Sequence, residues 1–179
     1  MRDERNLLLV IDVQNDFVDG VLGTKEAQAV VPKIVEKIES WDGEIIFTVD
    51  NHYDEEYYAK TEEGKRIPIH CTAFNEGEMI VPEIWNTGLV RPRNVINKWT
   101  FAPFPNLYNL SFSDAVHKSR HVEIIGLVTD ICVISTALLL RSMYPTKRIV
   151  IDSSCCAGTT PEMHQKALDV MGSCCIDIL

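Results

Sequence analysis

The 179-residue sequence predicts an α/β protein, a three-layer α/β/α fold around a central, mainly parallel six-stranded sheet. Two observations lead there. Short apolar runs of strand length alternate with stretches of helical spacing along almost the whole chain, the pattern of a parallel sheet covered by helices on both faces. A hydrophobic content of 46% suits one substantial core, and no internal repeat, low-complexity tract or linker divides residues 1–179, so a single domain is expected.

The elements follow in order. Leu7 to Asp12 (LLLVID) reads as the first strand and Ala27 to Ser40 as a helix, with Pro32 near its start; Glu44 to Asp50 (EIIFTVD) is the second strand. From Asn51 to Arg93 the chain is polar and irregular, broken by Pro68, Pro82 and Pro92. Loops of that length in a compact domain usually serve a site. Asn94 to Lys98 is a short third strand, followed by a helix around Leu107 to Val116 and a fourth strand at His121 to Gly126. A long apolar helix from Ile131 to Tyr144, a fifth strand at Arg148 to Asp152, a helix from Pro161 to Met171 and a last strand at Cys175 to Leu179 complete the chain. Ser153 and Ser154 then fall in a turn beyond the fifth strand.

This order places Asp12, Asp50, Lys98 and Cys132 at or just beyond the carboxyl ends of four strands, the edge where open α/β sheets bind ligands. Cys132 would stand in the first turn of its helix, where free N–H groups and the helix dipole favour thiolate and can hold an oxyanion. Lys98 ends a strand that should be buried, so its ammonium needs a carboxylate, and Asp12 is the natural partner. An aspartate beside a lysine and a thiol can take the thiol proton, which makes a Cys/Lys/Asp nucleophilic site.

A second cluster lies in the long section. Asp50 and His52, two residues apart in an extended segment, project to one side and can share a divalent ion, with His70 completing a mixed nitrogen and oxygen site. Such donors favour zinc, iron or manganese over calcium. His117, His121 and His164 match no motif and are expected at surfaces or helix ends.

A formal charge of −9 and the lack of any basic run argue against nucleic acid or an anionic membrane as partner, leaving a small molecule. The N-terminus carries no signal-like apolar region, and no apolar segment approaches the roughly 18 residues that span a bilayer, so a cytosolic protein is expected. Six cysteines including two adjacent pairs, without a CxxC zinc pattern, fit a reducing compartment. Cys155, Cys156, Cys174 and Cys175 read as small strand or strand-end residues.

Three separated motifs resemble the isochorismatase-like cysteine hydrolases, and within them the nicotinamidase branch. Asp12-Val-Gln14-Asn-Asp16-Phe17 is similar to the family's DxQxDF signature, Lys98 to Phe104 (KWTFAPF) to its lysine segment, and Gly126 to Cys132 to its GxxTDxCV segment. The resemblance covers nearly the whole chain. It implies an amide hydrolase working through a Cys132 thioester, with Asp12 as general base and Lys98 holding the pair and favouring the thiolate. It also implies an oxyanion hole from the backbone N–H groups of Val128 and Cys132, and a cis peptide at Leu127-Val128. Isochorismatases themselves cleave a vinyl ether without a nucleophilic thiol, so Cys132 turns the expectation toward C–N bonds.

The same resemblance implies a metal held by Asp50, His52, a glutamate and His70, zinc first and iron or manganese as alternatives. The metal would bind a pyridine nitrogen and orient the ring. Glu63 is taken as the glutamate, with Glu62 as the alternative. Phe17, Ile67 and Trp99 are the expected substrate contacts, with Phe104 as another wall. Two departures stand out: Ile67 occupies the place of an aromatic residue that stacks on the substrate ring in many nicotinamidases, and Phe74-Asn75 replaces a Gly-Thr pair. The leading expectation is deamidation of nicotinamide to nicotinate and ammonia. Another small-amide or carbamoyl hydrolase of the family, and a non-catalytic small-molecule binding protein, stay open, as does a homo-oligomer.

Overall fold

The computed structural model describes residues 6–103 and 110–179. Strand β1 (Asn6–Ile11) leads through a one-turn helix α1 (Asn15–Val18) to α2 (Lys25–Ser40) and β2 (Gly43–Asp50). The section Asn51 to Arg93 carries two one-turn helices, α3 (Glu55–Tyr58) and α4 (Pro82–Trp85), before β3 (Val95–Lys98). Then come α5 (Leu110–Lys118), β4 (His121–Leu127), a π-helical turn (Thr129–Val133), α6 (Ile134–Met143), β5 (Arg148–Ala157), α7 (Pro161–Ser173) and β6 (Asp177–Ile178).

All pairings are parallel and the strand order is β3-β2-β1-β4-β5-β6. The chain therefore winds outward in both directions from the β1/β4 boundary, and that switch point opens a crevice at the carboxyl ends of the two strands. Period-2 alternation sorts β1 between two cores. Leu8 and Val10 pack with Ala27, Val31, Ile34 and Ile38 of α2, whereas Leu7, Leu9 and Ile11 pack with Phe112 of α5, Leu140 of α6 and Leu168 of α7. Three layers result.

Local chemistry sets the element ends. Thr24 caps α2 by accepting the Ala27 N–H at 3.0 Å, and Thr160 caps α7 by accepting that of Met163 at 3.1 Å. Because α2 begins earlier than its apolar spacing suggests, Pro32 falls in the helix interior. It is exposed, so water can satisfy the carbonyl its missing N–H leaves. Gly126, at φ +117, is fixed by both conformation and space, since a Cβ there would lie 2.1 Å from the Ile11 carbonyl oxygen.

Some expectations are corrected. β5 does not stop at Asp152: a register shift against β4 carries it on through Ser153 and Ser154 to Ala157, so these serines lie in the strand rather than a turn. β6 is only two residues long, and Cys174 and Cys175 belong to the end of α7 rather than to a strand. The residues 107–109 of the expected helix, like Phe104, lie outside the described residues. All six cysteines are free thiols, and no helix of the described residues is long and apolar enough to cross a membrane.

Candidate active site

Asp12 follows β1 directly, fully buried, with a left-handed φ of 48. That conformation is uncommon outside glycine and persists only where surroundings hold it. Here the Asp12 N–H donates to the Thr48 carbonyl at 3.2 Å and to Thr48 Oγ1 at 3.3 Å, and the Thr48 hydroxyl donates to Asp12 Oδ1 at 2.6 Å. The other carboxylate oxygen, Oδ2, lies 2.7 Å from Lys98 Nζ. Lys98 ends β3 in register with Asp50, and its ammonium also sits 3.6 Å from Asp50 Oδ1 and 3.6 Å from Cys132 Sγ. The structure thus brings Asp12, Lys98 and Cys132 together in a dry cluster.

Electrostatics in that cluster differ from the thiolate expected of a helix N-terminus. Burial pushes the Cys132 thiol well above the ordinary cysteine range; the Lys98 charge opposes this, while the charges of Asp12 and Asp50 add to it. Burial likewise raises Asp12, with Lys98 pulling the other way, and a raised carboxylate is a better base for the thiol proton. Burial works against the Lys98 charge too, but Asp12, Cys132 and Asp50 outweigh it and keep the ammonium protonated.

Cys132 sits in the π-helical turn, not in a regular α-helical first turn. Single π turns recur at functional sites. The Val128 carbonyl accepts the N–H groups of both Ile131 and Val133, at 3.1 and 3.2 Å, which widens the turn around the thiol. The Leu127-Val128 peptide is cis. Two side chains brace this turn from the strand–helix junction beyond β5: Thr129 Oγ1 lies 2.8 Å from His164 Nδ1, and Asp130 accepts the Thr159 N–H and hydroxyl at 2.8 and 2.6 Å. His164, expected to be a surface or helix-end residue, is half-buried, and burial holds its imidazole below the ordinary value.

Beside the thiol, Asp50, His52, Glu63 and His70 each offer a donor atom, all within 4.8 Å of one another. The His70 Nδ1 lies 2.9 Å from the Pro68 carbonyl, which can accept an N–H there and orients the ring with Nε2 toward the cluster. Nε2 stands 3.3 Å from Asp50 Oδ2 and 3.7 Å from Glu63 Oε1, while the buried His52 Nε2 has no hydrogen-bond partner. A cluster of two imidazoles and two carboxylates with an orphaned ring nitrogen fits a divalent cation. Burial alone would raise the Asp50 carboxyl, but the Lys98 charge and the two imidazoles, whose Nε2 atoms lie 3.4 Å (His52) and 3.3 Å (His70) from Asp50 Oδ2, hold it well below the usual range. Glu62 points away, pairing with Lys65 and Arg66 at the surface, so Glu63 is the member of the cluster.

The DxQxDF segment serves this cluster. Gln14 clasps the Asp50 backbone, donating to its carbonyl at 2.8 Å and accepting its N–H at 2.7 Å. Asp16 accepts the Cys71 N–H at 2.7 Å and so anchors the irregular segment just after His70. The Phe17 ring meets His70 edge-on, 5.2 Å between centroids.

A cavity of about 280 Å³ is shared by thiol and cluster, lined by Cys132 and Val128 together with Asp50, Glu63 and His70. Phe17, Ile67, Ile131 and Phe101 form apolar walls. Trp99 is corrected: it faces a separate depression with Tyr53, Tyr57 and His52 and is 61% exposed, because the chain turns after Lys98 and delivers Phe101 to the cavity instead.

A sequence profile of the isochorismatase domain matches residues 6–179, the whole sheet and both clusters. The chain belongs to the isochorismatase family. A nicotinamidase from Saccharomyces cerevisiae is 22% identical over 198 residues, covering 89% of this chain and 92% of the yeast protein. Among solved structures, the pyrazinamidase of Pyrococcus horikoshii in complex with zinc superposes with a TM-score of 0.79 at 25% identity, covering 98% of each chain. The yeast nicotinamidase Pnc1p superposes with a TM-score of 0.82 at 18% identity, over 97% of this chain and 99% of that one.

Within this family fold, Thr48, Phe101 and His164 are site residues that sequence reasoning missed. Thr48 carried a readable signal, a polar residue in an apolar strand two positions before Asp50 and hence on the same side. Phe101 and His164 carried none.

Proposed function

We propose that this protein is an amide hydrolase acting on a small molecule, with nicotinamide as substrate and nicotinate and ammonia as products. The observation that carries the reading is the convergence of Asp12, Lys98 and Cys132 from three strand ends, 2.7 and 3.6 Å apart through Lys98, beside a cavity lined by Cys132 and by Asp50, Glu63 and His70 of the second cluster.

The reaction runs through this chain's own groups. The Cys132 proton passes to Asp12, and the sulfur attacks the carboxamide carbon while Lys98 balances the charge that builds between them. The carbonyl oxygen takes up negative charge against the backbone N–H groups of Val128 and Cys132. Collapse of the tetrahedral adduct breaks the C–N bond, and the proton on Asp12 leaves with ammonia. Water then enters, gives a proton to Asp12 and adds to the thioester carbon; breaking the C–S bond releases the acid and returns the proton to Cys132. Asp50, His52, Glu63 and His70 would hold a divalent metal, zinc first and iron or manganese as alternatives, which when bound supplies a Lewis acid for the pyridine nitrogen and so orients the ring. Phe17 and Ile67 confine that ring.

Ammonia release from nicotinamide by purified, metal-loaded protein tests the reading. Release by wild type and its loss in Cys132→Ala are expected, and no release at any metal loading would remove nicotinamide as substrate. Ile67 in the cavity wall favours a second reading: an aliphatic wall stacks less well on a ring than an aromatic one, so another small amide or carbamoyl compound is the alternative substrate.

A further inference from the structure

Thr48 is 1% exposed, lies opposite Ile11 in the β1/β2 register, and touches neither the cavity nor the candidate metal cluster through its side chain. Among the described residues its hydroxyl bonds only to Asp12. We propose that Thr48 is a positioning residue for hydrolysis: its single hydroxyl proton occupies Asp12 Oδ1 and so reserves Oδ2, the oxygen facing Lys98, to take and return the Cys132 proton.

The geometry supports each part. A threonine hydroxyl has one proton to donate, and at 2.6 Å it is committed to Oδ1. Its lone pairs then face the Asp12 N–H, so Thr48 holds both the backbone and the side chain of a residue in a left-handed conformation. No aligned hydrogen-bond donor among the described residues reaches Oδ2, which meets Lys98 as an ion pair. The two carboxylate oxygens are therefore unequal before any substrate arrives. Without the hydroxyl, the carboxylate can rotate and offer either oxygen to Lys98, and the proton path from sulfur loses its fixed end. The groups that face Asp12 are Lys98 from β3, Asp50 from β2 and Cys132 from the π turn, with the Cys71 thiol close enough to feel its charge. Among the described residues, Thr48 is the one donor that reaches Oδ1.

The inference rests on the hydrolase reading, and two readouts separate their failures. The first is steady-state kinetics of Thr48→Val and Thr48→Ser on nicotinamide. Loss of a hydrogen bond to a charged group predicts a fall in kcat of about 10- to 100-fold for Thr48→Val, with KM unchanged because Thr48 does not line the cavity. Thr48→Ser, which keeps the hydroxyl, restores kcat. The second needs no substrate: the pH profile of iodoacetamide alkylation at Cys132, followed by mass spectrometry of its peptide. Thiol reactivity declines as Asp12 becomes protonated, so removing a donor to its ionised form moves the acid limb upward by about one pH unit in Thr48→Val and not in Thr48→Ser.

A Thr48→Val protein with wild-type kcat and an unmoved limb overturns the proposal, whatever its melting temperature. So does a Thr48→Ser protein as impaired as Thr48→Val. Should Thr48→Val not fold, Thr48→Ala gives the same two readings. If wild type leaves nicotinamide intact while the alkylation limb moves as stated, the positioning role stands and the substrate reading falls.

Discussion

Replacing Lys98 with methionine removes the one cation between two buried carboxylates, Asp12 at 0% and Asp50 at 2% exposure. At 2.7 and 3.6 Å, and with an effective dielectric of about 20, the lost attractions are each on the order of 5 kcal/mol before desolvation is counted. Lysine's own desolvation offsets much of that, and breaking buried pairs elsewhere leaves a net loss of about 3–5 kcal/mol, the value expected for Lys98→Met. The loss also has a pH signature. Burial raises Asp12, and Lys98 is the largest influence opposing it, so without the lysine the folded-state value climbs further above the unfolded one of about 3.9. A carboxyl raised on folding contributes stability below its unfolded pKa and loses it as pH rises through the folded pKa. The stability gap between Lys98→Met and wild type should thus be small near pH 4 and widen toward neutrality. Urea denaturation of both proteins across that range, on metal-free samples, measures it. A gap under about 1 kcal/mol at neutral pH, the size of a surface ion pair, or a gap that does not change with pH, would refute the reasoning.

Zinc binding by equilibrium dialysis should reach about one ion per chain and weaken by more than about 100-fold in His70→Ala and Glu63→Gln, since even supporting groups around metal ligands are worth 10- to 100-fold. Glu62→Gln should bind like wild type; equal effects of the two glutamate variants would misplace the site. Ile67→Trp should lower the KM for nicotinamide by about 2- to 10-fold, the equivalent of an aromatic contact of about 0.5–1.5 kcal/mol, and an increase would move the ring away from that wall.

Much of the site was legible because buried strands leave so few reasons for charge. LLLVID, EIIFTVD and VINK each end an apolar run with an ionisable residue, and the parallel sheet places all three ends on one edge. The thiol's surroundings were less so. A helix N-terminus suggested a stabilised thiolate, but the segment forms a π turn inside a fully buried cluster, where burial and two carboxylates push the thiol up. Adjacent glutamates at 62 and 63 are chemically identical in sequence, and only the local turn decides which is half-buried beside His70 and which pairs with Lys65. Trp99 and Phe101 differ by two positions in a loop without periodicity, so nothing in the residues themselves says which ring reaches the cavity. Thr48 offered a signal, a polar residue inside an apolar strand, but a β-branched residue is so ordinary in a strand that the signal is easily passed over.

The central claim is a covalent step at Cys132. Rapid acid quenching during turnover of nicotinamide, followed by peptide mass spectrometry, should find one nicotinoyl group on the peptide bearing Cys132 and none on Cys71, Cys155, Cys156, Cys174 or Cys175. Nicotinamide hydrolysis by Cys132→Ala at the wild-type rate, with no acylated peptide at any quench time, would contradict it.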